Sequence, residues 1–263
     1  MSIIKINGIE MYYEQKGKGE HLLLISGLSS RTDVWSKIVD DLAKHFLVTS
    51  FDNRGAGQTT QPKENYTIEQ MANDVNVFMD AIGISSAYVI GHSMGGAILQ
   101  SLCINYPQKV KGAIIAASTS KINEAGYMLL ETTAKLIAGG VAIDLIIDSV
   151  IPLLFGSAFL KNKEQLKEEI IRMREDPYAQ SYEGYIGQLN ALRTVDLTPN
   201  LNKIKCPILV LAGLEDILLP AEHSKKIADL IPNAKYEVFD DCGHMLNREK
   251  PKEFVDHILR FFR

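Results

Sequence analysis

Cysteine is scarce in this chain of 263 residues. There are three, Cys103, Cys206 and Cys242. They lack the spacing of a zinc or haem site and read as reduced thiols of a cytoplasmic protein. Long apolar runs are missing as well. The most apolar stretch, residues 141–155, is broken by Asp144, Asp148 and Pro152 and is too short to span a bilayer. The N-terminal segment alternates apolar and polar residues and shows no secretory pattern, so a soluble protein without a membrane partner is expected. Charge of one sign is not concentrated. Lys and Arg number 28 against 32 Asp and Glu, a net charge of −4, which argues against a nucleic-acid partner. Internal repeats and low-complexity tracts are absent too.

What is present is ordinary globular material. Hydrophobic residues make up 46% and charged residues 23%, enough apolar surface to offset the entropy of folding. Residues 3–10 and 11–15 read as a hairpin with Asn7-Gly8 as turn residues. Apolar runs at 22–26, 46–52, 87–90 and 110–117 read as strands. They alternate with helical spacing at 34–45, 67–82 and 94–106. Unbroken apolar strands separated by helices imply a mainly parallel sheet covered on both faces. From 119 to 199 no strand is convincing and helical segments follow one another. Alternation then resumes with a strand at 207–212, a helix at 222–231, a strand at 235–239 and a helix at 252–262. The expectation is an α/β core made of residues 1–118 and 200–263, with a helical cap at 119–199 over the carboxyl edge of the sheet, where open α/β sheets bind ligands.

Gly91-His92-Ser93-Met94-Gly95 stands between a strand and a helix. That context makes it a nucleophile elbow, a tight turn that lifts the serine above the sheet at a helix N-terminus. A serine hydroxyl needs a base and a group to orient that base. Gly213-Leu214-Glu215-Asp216 and Gly243-His244 each follow a later strand, so their loops can converge on Ser93. Ser93 is therefore expected as nucleophile, His244 as general base and then acid, and Asp216 as the orienting carboxylate.

These motifs, with Asp52-Asn53-Arg54-Gly55-Ala56-Gly57 and Gly96 behind the elbow, resemble the α/β-hydrolase superfamily over nearly the whole chain. The resemblance is to compact members with a helical cap: 3-oxoadipate enol-lactonases, small carboxylesterases, carbon–carbon bond hydrolases of aromatic degradation and cofactor-free peroxidase-type esterases. It implies an α/β-hydrolase fold with an eight-stranded, mostly parallel sheet. It also implies an oxyanion hole built from the backbone N–H groups of Met94 and Leu28. The usual His-Gly pair of that loop is Ser26-Gly27 here. Relatives that attack with aspartate are set aside because the nucleophile position holds Ser93. The reading is a serine hydrolase acting on a small ester or lactone, its partner a small acyl substrate, with no metal or organic cofactor required. A carbon–carbon bond hydrolase and a triad-containing ligand sensor are the alternatives. The first would want cations for substrate carboxylates, for which Arg54 and Arg193 are the candidates, although the resemblance implies for Arg54 first a structural role under the active-site loops.

Other residues carry plainer expectations. Glu215 reads as solvated, Asp240 and Asp241 as turn residues, and Cys242 as a small buried side chain. Trp35 reads as core. His21, His45, His223 and His257 read as surface residues at element ends or on helix faces, and His92 as shaping the elbow. The charge-rich stretch 161–175 reads as a solvated helix face. Several of the cap's apolar residues are expected to line a pocket facing Ser93.

Overall fold

The computed structural model describes residues 2–263. β1 (Ser2–Ile6) and β2 (Ile9–Gly17) form the expected hairpin, with Asn7 and Gly8 both at positive φ in its two-residue turn. β3 (His21–Ile25), β4 (Leu47–Phe51), β5 (Ala87–His92), β6 (Val110–Ala116), β7 (Ile208–Gly213) and β8 (Lys235–Phe239) complete one sheet of eight strands, ordered β1-β2-β4-β3-β5-β6-β7-β8. The β1–β2 and β2–β4 pairings are antiparallel and all later pairings parallel.

The central parallel strands β3, β5, β6 and β7 are apolar on both sides because each side is covered. Leu23, Ile25, Val89 and Val210 join a core with α2 (Ile68–Ala81), α3 (Met94–Asn105) and α9 (Ala221–Leu230). Leu22, Leu24, Ile90, Leu209 and Leu211 face the other way, toward Trp35, Ile38, Leu42 and α11 (Pro251–Phe262). Period-two alternation is invisible in the sequence for this reason: alternate residues enter different cores of equal polarity. Thr67 caps α2 by accepting the Gln70 N–H, 3.1 Å, satisfying one donor of the first turn.

The helix expected over 34–45 is instead a 3₁₀ turn at Thr32–Trp35 followed by the short α1 (Val39–Leu42). Side chains from elsewhere interrupt the helical ladder. Asn247 donates to the Val34 carbonyl at 2.8 Å, so the Ile38 N–H turns to Trp35 O at 2.9 Å. The apolar spacing is met all the same, since Val34, Trp35, Ile38 and Leu42 are all buried.

Between β6 and β7 the chain makes five helices: α4 (Glu124–Ala138), α5 (Ile143–Leu154), α6 (Ser157–Lys161), α7 (Lys163–Arg174) and α8 (Tyr182–Thr194). A short α10 (Leu246–Glu249), absent from the sequence reading, lies between β8 and α11. Among the described residues no helix is long and apolar enough to cross a membrane.

Candidate active site

Ser93 stands between β5 and α3 with φ 56° and ψ −122°, a conformation that costs a non-glycine residue about 1–3 kcal/mol. The surroundings impose it. The Ser93 N–H is held by the Ala116 carbonyl (2.9 Å), its own carbonyl accepts the Gly96 N–H (2.9 Å), and the Ser118 hydroxyl donates to it as well (2.8 Å). A side chain at Gly95 would collide with the Ile25 carbonyl, so only glycine lets α3 start this close to β3.

His244 and Asp216 arrive on the loops after β8 and β7. His244 Nδ1–H donates to Asp216 Oδ2 at 2.7 Å, with both side chains almost fully buried. Asp216 Oδ1 accepts the Leu219 N–H at 2.8 Å, which fixes the carboxylate plane. A proton on Nδ1 leaves Nε2 with its lone pair, the form a general base needs. The two loops touch because Gly213 and Gly243 are bare: a Cβ at Gly213 would collide with the Gly243 carbonyl. Ser93 Oγ and His244 Nε2 carry no hydrogen bond among the described residues. Contacts of this kind often close only when substrate binds.

His92 adds a support that the sequence did not specify. Its Nε2–H donates to the His244 carbonyl at 2.8 Å, and its ring lies 4.9 Å from the His244 ring and edge-on to Trp35. Burial, aided by the nearby His244, pushes its pKa down to about 3, so the ring is neutral. Glu249 ties the same loop to the helical insertion, accepting the Gly243 N–H (3.0 Å) and the Gly156 N–H (2.9 Å). The His244 and Met245 N–H groups both donate to Leu154 O, at the end of α5.

The loop after β3 is held on two sides. Asn53 donates to Ser26 O at 2.8 Å, and the Ser29 N–H donates to Gln188 Oε1 at 3.0 Å. Gln188 is wholly buried on α8 and also donates to Arg54 O at 2.8 Å. Nothing in its helical spacing marked it in advance. Leu28 and Met94 both face the cavity above Ser93, and neither N–H has a protein acceptor among the described residues.

That cavity measures about 380 Å³ and is bordered by Ser93, His92, His244, Gly27, Leu28 and Met94 at one part of its wall. α4 and α5 supply an apolar part, including Leu130, Ile137, Ile146, Ile147 and Val150. Arg31, Asp33, Arg172 and Asp176 supply a charged part. Arg31 Nε lies 2.8 Å from Asp176 Oδ1 and 3.5 Å from Asp33. Arg172 bonds Asp33 at 3.0 Å and Glu169 at 2.8 Å.

Several expectations change here. The stretch 161–175 is not simply a solvated face. Glu169 on α7 is fully buried and bonds Arg172 and Arg248. Burial opposes its charge, but the two guanidinium groups outweigh it and hold the carboxyl below its ordinary value. Glu215 is not idle in solvent: it accepts from the Ser157 N–H and hydroxyl, each at 2.5 Å, where α6 begins. Arg54 lies outside the cavity, in a buried fork with Asp74 at 2.7 and 2.8 Å. Arg193 also lies outside it, stacked 4.0 Å over the Tyr127 ring. Cys242 and Trp35 are buried as expected, and Asp241 takes a turn conformation at φ 48°. His45 is exposed, whereas His21, His223 and His257 are half-buried, and none of the four lines the cavity. Among the described residues no group of three His, Cys, Asp or Glu is arranged to hold a metal ion.

A family profile described as "alpha/beta hydrolase fold" matches residues 20–251. A protein from Mycobacterium tuberculosis, provisionally assigned as a non-heme bromoperoxidase, is 27% identical, covering 97% of this chain and 98% of that one. The 3-oxoadipate enol-lactonase 2 of Acinetobacter baylyi is 27% identical, covering 97% and 94%. Among solved structures, the enol-lactonase of Burkholderia xenovorans LB400 superposes with a TM-score of 0.90 at 26% identity, over 99% of both chains.

Proposed function

The chain belongs to the α/β-hydrolase family, and from that premise we propose that it is a serine hydrolase cleaving a small carboxylic ester or lactone through an acyl-enzyme. Ser93 Oγ attacks the carbonyl carbon while His244 Nε2 takes its proton. Asp216 holds the imidazole in that tautomer and stabilises the imidazolium. The N–H groups of Met94 and Leu28 receive the oxyanion; losing one such donor costs about 3 kcal/mol of transition-state stabilisation. His244 then protonates the leaving oxygen and activates water to release the acid. In this reading residues 119–199 are the cap, and their apolar wall receives the apolar part of the substrate.

One observation carries the reading. The buried His244–Asp216 bond of 2.7 Å leaves Nε2 free, and His244 opens onto the same cavity as a strained Ser93. The carbon–carbon alternative gains no comparable support. It needs unpaired cations for a substrate carboxylate, and both arginines of the cavity face carboxylates of their own.

The test is turnover of p-nitrophenyl acetate, butyrate and octanoate by the protein and by Ser93→Ala. Multiple turnover that the variant loses is the expected result. Full activity in Ser93→Ala would overturn the assignment. Negligible turnover of all three esters by the intact protein would favour a narrow lactone or carbon–carbon substrate, or a ligand sensor, over a general esterase.

A further inference from the structure

Two of the three cysteines, far apart in sequence, meet in the fold. Cys103 lies near the end of α3 and Cys206 just before β7, 103 positions later, and their Sγ atoms are 3.8 Å apart. The chain between them contains β6 and all five helices of the insertion. The insertion leaves from the far end of β6, so the two thiols face each other at the opposite edge of the sheet, where β6 and β7 begin. α3 packs against the 3₁₀ turn Thr198–Lys203 beside them, so both sides of the pair are anchored.

Their environments are unequal. Cys103 is buried, whereas Cys206 is partly exposed between two exposed residues, Lys205 and Pro207. The third thiol, Cys242, is buried beside Glu249 and away from this pair.

We propose that Cys206 is a site of hydroperoxide oxidation which Cys103 resolves to a disulfide, stapling the end of α3 to the segment that enters β7. The reachable thiol acts first. The Cys206 thiolate attacks one oxygen of the hydroperoxide, the O–O bond breaks, and the departing oxygen takes a proton to become an alcohol, or water if hydrogen peroxide is used. Cys206 is left as the sulfenic acid. Cys103 Sγ then attacks Cys206 Sγ, the S–O bond breaks, and the leaving hydroxide takes the Cys103 proton as water. Two thiols and one hydroperoxide thus give one disulfide, one alcohol and one water. The ionisation order agrees with the geometry. The contact with Cys103 holds the Cys206 thiol below its ordinary value, while the same contact and burial push Cys103 well above it.

The bond would close a loop of about a hundred residues, long enough to restrict the unfolded chain strongly. The inference does not depend on the hydrolase reading, since neither thiol borders the cavity.

The reduced protein, freed of reductant, is treated with hydrogen peroxide, then unfolded and alkylated with N-ethylmaleimide. Intact mass and peptide mapping follow. The expected product keeps one alkylated thiol, at Cys242, carries a Cys103–Cys206 crosslink, and regains all three thiols after dithiothreitol. Its Tm rises by about 5–10 °C. Cys103→Ala is expected to leave a sulfenic acid at Cys206 that dimedone captures. Three alkylated thiols after peroxide would overturn the proposal. So would a Cys206 carried on to sulfinic acid while Cys103 stays free. A crosslink that leaves Tm unchanged would overturn the staple.

Discussion

The two walls of the cavity are held by different means. On the sheet side, backbone groups position the side chains: Ser93 by a strained turn locked through Ala116 and Gly96, Asp216 by the Leu219 N–H, and His244 through its own and the Met245 N–H, which both reach across to Leu154 O on α5. On the insertion side, side chains hold side chains. Glu169 gathers Arg172 and Arg248, and Arg31 meets Asp176. The first arrangement needs particular residue types at fixed short spacings. The second needs complementary charges brought together from distant parts of the chain. One wall therefore depends on short local spacings and the other on distant charge pairs, and the two are joined at Leu154, Gly156 and Gln188.

The sharpest way to break the sheet-side wall is Asp216→Asn. On the proposed mechanism the amide presents the wrong partner to Nδ1, and kcat for p-nitrophenyl butyrate should fall about 10⁴-fold with stability little changed. A fall of tenfold or less would remove Asp216 from the role assigned to it.

Next in size is a pH effect with a defined sign. The folded pKa of His92 lies near 3, below the ordinary value for an unfolded chain. The unfolded chain therefore binds the proton first, and the stability tied to neutral His92 is present above about pH 6.5 and lost as pH falls toward 3. The shift corresponds to roughly 5 kcal/mol. Asp52 works in the opposite direction. Burial raises its pKa to about 6, above its unfolded value, although the Gln58 and Thr32 N–H groups pull the other way. Its contribution is present below about pH 4 and lost as pH rises through 6. Urea unfolding across pH 4–7 should show His92→Gln flattening the acid loss and Asp52→Asn steepening it. Equal slopes in both variants would contradict these assignments.

The contrast between the walls also explains what could be read in advance. The strands, the tight turn at Ser93 and the loops that bring Asp216 to His244 are legible because short spacings encode them: glycines where backbones collide, apolar runs where both sheet faces are covered. The broken helix at 34–45 is not legible, because the group that interrupts it is Asn247, more than two hundred residues away. Glu169 looks like any solvated glutamate until Arg248 is known to lie against it. Gln188, His92 and Glu249 escape for the same reason, since their partners are backbone groups that only the fold supplies.

Breaking the insertion-side wall at Glu169 should cost less than losing Asp216 costs activity, but it should appear in stability. Glu169→Gln leaves Arg172 and Arg248 without their shared carboxylate in a buried setting, an arrangement worth about 3 kcal/mol. The urea midpoint should drop with an unchanged m-value. A midpoint within error of the parent would mean that the two arginines find other partners.

The smallest expected effect is the most informative about specificity. Ile147 is almost fully buried on α5 and borders the cavity. Tryptophan there would take up space that a long acyl chain needs and a short one does not. Excluding a few methylenes from an apolar site is worth on the order of 1–3 kcal/mol. Ile147→Trp should therefore lower kcat/KM for p-nitrophenyl octanoate about tenfold or more while leaving the acetate within a factor of two or three. A uniform fall across the ester series would show that α5 supports the catalytic wall through Leu154 more than it measures the substrate, and the separation drawn between the two walls would fail at that point.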